Sequence, residues 1–570
     1  MHAFVDDLGR STQKHSPEKY SDFRKTLAEM NDKVRHPSPP YFILKSIILK
    51  NLYGVDIMEE ATEICKLRLF LKLVAQVRAG DRIEPLPDID FNIRAGNTLI
   101  GYATETQLDE ALGRIGHADY KAEITEKAEV ARVAFEKFRQ QQVVAETGTA
   151  DDLVAWKHDV TNRLSELRKE LDDYLAGEYN IPKGANSRFA AWRQSHQPFH
   201  WFVEFYGLMK NGGFDLILGN PPFVEYSKVS KTYRIKGYKT GDNLYAPVTE
   251  RSLALVKQGA RVGLIMPLSG LVTERMKPLQ DLIRTKNSMA WVSYYAGDAN
   301  PSRLFEEVKF RLAFVFTKTG SDEFQCYTTR YLRWFADERN VLFSRLSYSD
   351  STALIKPTSF PKLDSEIAKS VLRKIAKNHP LRFRFTQGGS ELYYHNCPVN
   401  WIRATTFVPK FRSERDGDKV STQIRQLELL GIAERDAVCC VINSSLFFLN
   451  WLVYSDCYHL IDRELGGFPC NANQLTNSYG EELTKTCKNL MEDYRRHSKQ
   501  RVYEYETTGK VIYDEFYPKL SKTIIDDIDV LLSKHFELNA EEQDFVINYD
   551  IKYRMGRDSI VGTDAQAAHN

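Results

Sequence analysis

Phe214-Asp215-Leu216-Ile217-Leu218-Gly219-Asn220-Pro221-Pro222-Phe223 is the stretch on which the reading of this chain turns. Its first six residues form an apolar run of strand length and read as a buried strand of an α/β sheet. The next four stop that strand abruptly. Pro221 holds Asn220 in an extended conformation, and the two proline rings fix the direction of the intervening carbonyl. A polar residue, two prolines and an aromatic in that order are expected by chance only on the order of a few hundredths of a time in such a chain. An ordinary proline turn after a strand is the bland reading of the same residues.

Working outward, Leu52 to Ile57 (LYGVDI) reads as a short strand ending at an acidic residue. From Glu59 to Val77, Ile64, Leu67, Phe70, Leu71 and Val74 recur at helical spacing, giving one strand–helix unit of a parallel sheet. Residues 90–101 add a strand and a turn. Downstream come a helix near 248–258 and strands at Val262–Pro267, Ala290–Tyr295 and Arg311–Thr317. Between the halves lie two apolar stripes at helical spacing. Ile124, Ala128, Ala131, Phe135 and Phe138 make the first; Leu153, Trp156, Val160, Leu164, Leu167, Leu171 and Tyr174 make the second. Breaker and cap residues from Glu146 to Asp152 separate them, so an antiparallel helical hairpin is expected, either a solvated insertion or a partner surface. Residues 1–40 read as short helices and loop, and the last dozen as disordered.

A chain of 570 residues is too long for one core. Its net charge of +2 points to no particular partner, so local clusters matter more. Eight cysteines without a CxxC pair read as reduced, buried thiols; a metal site at Cys457, His459 and Cys470 is poorly motivated, and none is expected. No apolar run reaches the roughly 18–20 residues needed to cross a bilayer, so a cytoplasmic protein without membrane contact is expected. Nuclease chemistry finds no support: the nearest acidic–lysine arrangement, Asp364 to Lys369, is wrongly spaced and too helical.

The chemistry suited to Asn220–Phe223 is transfer to an aromatic amino nitrogen. Adenine's exocyclic nitrogen is a poor nucleophile because its lone pair is delocalised into the ring. Acceptors for both amine hydrogens, the Asn220 side-chain oxygen and the Pro221 carbonyl, favour a pyramidal nitrogen with a localised pair. Catalysis is then mostly positioning, and Phe223 offers a face on which an extruded base can stack.

On these motifs the chain resembles the large adenine-specific DNA methyltransferases of restriction-modification and phage-exclusion systems, over nearly its whole length. The resemblance implies a Rossmann-like class I methyltransferase sheet, N-terminally truncated, with a helical insertion and a mixed α+β C-terminal target-recognition domain. The corresponding domains are 1–320 (insertion about 104–198), 321–480 and a charged helical region at 481–570. It implies S-adenosylmethionine as cofactor and double-stranded DNA as substrate. Asn220, Pro221, Pro222 and Phe223 would form the catalytic turn, with Pro221 near the reacting methyl. Asp56 and Ile57 would meet the cofactor ribose and Asn97 its adenine. Asp56 is also a suitable helix cap, and Asn97 a suitable turn residue.

Lys228, Lys231, Arg234, Lys236 and Lys239, interleaved with three tyrosines, suit phosphate contacts or form a solvated loop. Trp401 and Arg403 suit base reading, or core packing. Asn443 to Phe448 resembles a stretch found in the family's specificity domains. The family's Gly-rich turn after a first strand has no counterpart in residues 1–50, where Gly9 is the single glycine. The expectation is that the isolated chain binds the cofactor weakly and that a second polypeptide, or a missing upstream segment, supplies the turn. A restriction endonuclease is a further expected partner. Protein-glutamine and RNA amine methylation are chemically similar alternatives. A catalytically inactive DNA-binding or specificity remnant is an alternative of another class.

Overall fold

Pro39 and Pro40 open the first helix considered, α1 (Pro39–Asn51), where a missing N–H costs nothing. It leads into β1 (Gly54–Asp56), α2 (Glu59–Val74) and β2 (Ile93–Ala95). These belong to a computed structural model that describes residues 28–556 apart from 31, 33–34, 79, 81–83, 116–119, 144–149, 183, 299–301, 382–387 and 507–508. The readings made for the chain's first 27 residues, the hairpin linker and the final fourteen residues lie outside the described residues. The chain is a mixed α/β protein of two compact units. One comprises 1–215, 225–241 and 250–257; the other comprises 216–224, 242–249 and 258–570.

In the first unit β1 and β2 pair in parallel, Gly54 opposite Ile93 and Asp56 opposite Ala95. Asn92 caps the end of α1, its Nδ2 donating to the carbonyls of Ile48, Leu49 and Leu52 at 3.3, 3.2 and 2.9 Å. The helix α2 departs from expectation. Leu73 is buried and Leu69 and Phe70 pack inward. Ile64, Leu67, Leu71 and Val74, read as facing a sheet, are 47–62% exposed. A two-stranded sheet offers a helix one narrow line of contact, and the second half of the apolar stripe has nothing described to cover it.

The insertion forms α3 (Glu105–Ile115), α4 (Tyr120–Val143), α5 (Ala150–Glu178) and α6 (Asn186–His196). Helices α4 and α5 are antiparallel: Lys127 pairs with Glu170 at 2.6 Å, while Lys137, further along α4, lies over Trp156, earlier in α5. Ile124, Ala128, Ala131 and Phe138 meet Val160, Leu164, Leu167, Leu171 and Tyr174 in one core.

The decisive strand is β3 (Phe214–Gly219), followed by α7 (Tyr245–Leu255), β4 (Val256–Pro267), α8 (Lys277–Lys286), β5 (Asn287–Tyr295), β6 (Leu312–Thr319), β7 (Gln325–Leu332) and β8 (Ser349–Asp350). The sheet runs β3-β4-β6-β5-β7-β8, with β6 antiparallel to both neighbours and β5 parallel to β7. Thus β3 is an edge, and Leu216 and Leu218 are 52% and 65% exposed, against the expectation of a buried strand. Gly263 leaves room for Leu218 on that sheet: a Cβ there would lie 2.7 Å from the leucine.

The rest of the second unit holds α9 (Glu366–Ile375), β9 (Ser390–His395), β10 (Ala404–Thr405), β11 (Phe411–Ser413), β12 (Gly417–Asp418) and β13 (Ile424–Leu429). After these come α10 (Ile432–Asn443), α11 (Ser445–Tyr454), α12 (Ala472–His497), β14 (Lys499–Tyr505), β15 (Gly509–Glu515) and α13 (Lys522–His535). Two further sheets result, β10-β9-β13 and β12-β11-β15-β14. Asn443 is a core junction, bonded to both backbone groups of Ala404 and to the Tyr494 hydroxyl at 2.8–3.2 Å. Asp529 accepts from the Ser445 and Leu446 amides at the start of α11. The hairpin β14–β15 interrupts a region read as helical; Val502, Tyr503, Tyr505, Val511, Ile512 and Tyr513 favour strand over helix. All eight cysteines are free, and no cluster of metal-ligating side chains occurs among the described residues. No single described helix is long and apolar enough to cross a membrane.

The entry to β3 gives a direct test of this architecture. Gly213 has φ +105°, and a Cβ there would stand 2.2 Å from the Leu255 carbonyl oxygen. Gly213→Ala is expected to lower stability by more than about 1 kcal/mol, read as a reduced urea midpoint. Gly241→Ala, where a Cβ meets nothing within 4 Å, is the neutral control.

Candidate active site

In the first unit, β1 and β2 end side by side, so that Asp56 and Asn97 come together. Gly96 N–H donates to the Asp56 carbonyl at 2.8 Å. One Asp56 carboxylate oxygen accepts from Met58 N–H at 2.8 Å and so caps the turn into α2. The carboxylate is exposed, and its other oxygen has no partner among the described residues. Ile57 and Met58 beside it are 41% and 57% exposed. Asn97 is buried; its Oδ1 accepts from Leu99 N–H at 3.1 Å, and its Nδ2 has no hydrogen-bond partner. Asn97 thus fills the turn role open in the sequence, whereas Asp56 closes a turn ahead of α2 without capping the helix, whose N-cap is Met58; each residue still retains one polar atom to spare. An exposed carboxylate oxygen suits a ribose diol, and an orphaned amide donor suits a ring nitrogen of adenine.

The loop carrying Asn97 is clamped from behind. Gly96 and Gly101 lie so close to Phe199 that a Cβ would meet it at 2.7 and 2.3 Å. Arg251 donates to the Leu99 and Gly101 carbonyls at 3.3 and 3.1 Å, to Gln107 at 3.1 Å and to the Tyr238 hydroxyl at 2.9 Å. Tyr238 in turn donates to the Leu99 carbonyl at 2.8 Å. Burial raises the pKa of its phenol, so the donor proton is kept.

Tyr238 belongs to the basic segment, and the structure divides that segment into two roles. Its aromatics anchor. Tyr226 accepts from Ile235 N–H at 3.1 Å, Tyr233 packs against the helical core, and Tyr179, just past the end of α5, donates to the Arg234 carbonyl at 2.8 Å. Lys236 bonds the Glu178 carbonyl and lies 4.5 Å from the Tyr179 ring centre. Lys228, Lys231, Arg234 and Lys239 project into solvent with no acidic partner among the described residues. Four cations thus stand on a braced backbone.

In the second unit the turn after β3 presents Asn220 exposed, Pro221 buried and Phe223 half-buried. No described group engages the Asn220 side chain. Phe223 is held edge-on by Tyr245 and Phe310, with ring centres 6.5 and 5.7 Å away. Leu244 N–H donates to the Val224 carbonyl at 2.9 Å, tying the turn to the start of α7. Beside that contact Asn243 is buried, and its Oδ1 has no hydrogen-bond partner. Phe310 remains 51% exposed. Asn243, Tyr245, Phe310 and Arg251 were not singled out in the sequence. Gly241-Asp242 ahead of Asn243 is a turn-and-cap signal that points to the first two; Phe310 has no signal of its own.

Trp401 donates to the Arg554 carbonyl at 3.0 Å and stacks under the Arg554 guanidinium at 3.8 Å, so its ring is engaged in packing. Arg403 lies over Phe516 at 4.5 Å.

Residues 50–300, which include both turns and the basic segment, match the family described as Eco57I restriction-modification methylase. Over those residues the chain is similar to restriction-modification methylases. A protein of Methanocaldococcus jannaschii named as a type II restriction enzyme and methyltransferase is 28% identical over 292 residues, 44% of this chain and 25% of that protein. The chain thus spans about a quarter of that relative's length. Among solved structures, the type IIL restriction-modification enzyme MmeI in complex with DNA matches at 13% identity, covering 93% of this chain and 74% of that one, with a TM-score of 0.31. A nuclease-deletion mutant of the type ISP enzyme LlaGI with a DNA substrate mimic matches at 9%, covering 88% and 67%, with a TM-score of 0.28. These superpositions are too loose to carry any residue across.

Arg251 is the side chain on which the Asn97 loop depends. Arg251→Ala is expected to cost on the order of 2–3 kcal/mol, measured by urea titration, with faster amide exchange confined first to residues 97–101.

Proposed function

We propose that this domain transfers a methyl group to the exocyclic amine of a flipped-out adenine in DNA, within a restriction-modification or phage-defence system. The observation that supports this most is the Asn220 amide, exposed and unengaged at the end of β3 and followed by a phenyl ring held edge-on from two sides. S-adenosylmethionine, when bound, supplies an electrophilic methyl. Asp56 and Ile57 would hold its ribose side and Asn97 its adenine, by the spare carboxylate oxygen and the orphaned amide donor described above.

The chain's own residues bind and orient the acceptor base. The Asn220 oxygen and Pro221 carbonyl accept the two amine hydrogens and draw the nitrogen out of conjugation. Phe223, steadied by Tyr245, takes the face of the extruded base, and Phe310 extends that apolar surface. Lys228, Lys231, Arg234 and Lys239 take phosphates. No general base with a strongly shifted pKa is needed. The methionine end of the cofactor calls for a Gly-rich turn. The stripe of α2 and the edge of β3, uncovered among the described residues, support a second polypeptide as its source. A restriction endonuclease is the natural functional partner.

A second reading, DNA binding without catalysis, rests on the four exposed cations of the basic segment alone. The two separate on one measurement. With the complete enzyme and cofactor, mass spectrometry of digested DNA should find N6-methyladenine. Asn220→Ala should reduce it by at least about 10³-fold while leaving DNA affinity within a few-fold. Methylation undiminished by that change would remove the reading.

The basic segment gives an independent readout. Replacing Lys228, Lys231, Arg234 and Lys239 by alanine is expected to weaken binding to all DNA sequences alike. The slope of log K against log salt should fall by about 0.9 for each phosphate no longer neutralised. An unchanged slope would assign these cations to solvent.

A further inference from the structure

The second unit contains a cavity of about 580 Å³ between its two smaller sheets, within the roughly 300–1,000 Å³ span of small-ligand pockets. One wall carries Arg403, His395 and Gln423. The other is aromatic. Phe411 stands opposite Tyr513 in register, and Tyr503 stacks on Tyr513 with ring planes 13° apart. Tyr505 continues the shelf and is 51% exposed.

Arg403 is the unusual member. Its guanidinium rests on Phe516 and has neither a hydrogen bond nor an ion pair among the described residues. Its pKa is brought down to about 10 by desolvation. Tyr494 and Asp514 offset that only through space, and a half-buried cation whose donors are unused is costly unless a ligand completes it. His395 Nε2 lies 3.1 Å from the Gln423 Oε1. Burial favours neutral His395, whose N–H can donate there and leave the Gln423 amide hydrogens free. On the cavity's rim Asp514 is fixed by the Lys410 amide through one carboxylate oxygen at 3.2 Å, leaving the other unspent.

The combination selects a ligand. A bare phosphate would satisfy Arg403 but meet the unspent carboxylate oxygen of Asp514, Glu515 being paired with Arg501 at 2.8 Å. Adenine presents a donor beside its N7, whereas a guanidinium has only donors. An unpaired, unstacked guanine, extruded from a duplex or free, offers O6 and N7 as paired acceptors for the guanidinium, N–H groups for a carboxylate, and a face for the tyrosine shelf. We propose that this cavity is a guanine-reading site in which Arg403 takes the O6/N7 edge. Placing that guanine in target DNA rests on the DNA-methyltransferase reading; a free guanine nucleotide would present the same chemistry.

The test uses the full chain, or the complete enzyme, and a pool of randomised DNA duplexes from which bound sequences are selected and read. The wild type should enrich a motif containing a fixed guanine. Arg403→Ala should lose selectivity at that one position, on the order of tenfold to a hundredfold, while keeping the others. Arg403→Lys, which keeps a cation over Phe516 but not the fork, should lose it too, which excludes unfolding as the cause. An unaltered motif in both variants, or no enriched motif at all, would overturn the proposal. In a parallel titration, GMP binding that exceeds AMP binding and is lost in Arg403→Lys, with an unchanged DNA motif, would keep the guanine chemistry and reassign its source. Equal GMP and AMP binding would count against it. Loss of guanine selectivity without any adenine methylation would sink the catalytic reading alone; methylation indifferent to Arg403 would sink this one alone.

Discussion

A side-chain amide stays available to a ligand only where the fold denies it other partners. In this chain the proline pair after β3 does that. Within a ladder, the residue after the strand would be drawn into turn or sheet hydrogen bonds, and an asparagine there would use its amide on its own backbone, as Asn97 does with Leu99. Pro221 has no N–H to attract the Asn220 oxygen and holds the residue extended. The buried ring of Pro221 and the lodged ring of Phe223 then fix the turn from the far side. The amide is left projecting, rigidly mounted and unspent. Whatever the second unit's turn does to a base depends on that.

The first unit uses the opposite device, saturation. Around the Asn97 loop, Arg251 and Tyr238 satisfy the backbone carbonyls, and two glycines permit the loop to lie against Phe199. Full satisfaction makes the few leftover atoms meaningful: one carboxylate oxygen of Asp56 and the Nδ2 of Asn97. The same economy orders the basic segment. The Tyr226 and Tyr238 hydroxyls are consumed internally, and four cationic ends are not. A loop with all its polar groups loose would have no preferred presentation of charge, and its ordering would oppose binding.

Much of this was legible in the sequence. The β3 motif, the strand–helix unit around Asp56 and the hairpin stripes follow from local periodicity, which acts through contacts only a few residues away. Ile124 to Phe138 and Leu153 to Tyr174 carried the hairpin because each stripe has a partner stripe of matching length. The same logic failed for Ile64, Leu67, Leu71 and Val74. Periodicity reports that a face is apolar, but not that anything described covers it. The tyrosines of the basic segment misled in the other direction, since aromatic interleaving looks alike whether the rings face a nucleic acid or their own helices. Arg251 was out of reach because its partners, Leu99, Gly101 and Gln107, lie about 150 residues away in the chain. Phe310 has the same difficulty. The hairpin β14–β15 was hidden under a charged composition that alternates along its strands.

Two arginines of the second unit show how burial alone misjudges function. Desolvation brings Arg403 and Arg554 down to about the same value, near 10. Arg554 is spent: it stacks on Trp401 and donates to the Asn400 and Tyr549 carbonyls and the Ser445 hydroxyl. Its desolvation is offset by those bonds, and its work is to hold the last described helix against α11. Arg403 is half-buried, and its one stacking neighbour is Phe516. The difference is invisible in residue type, in sequence context and in the pKa. It is visible in the donors left over beside a cavity. Between two cations whose pKa values are lowered alike, the one whose hydrogen bonds the fold has not used is the one positioned to meet something else.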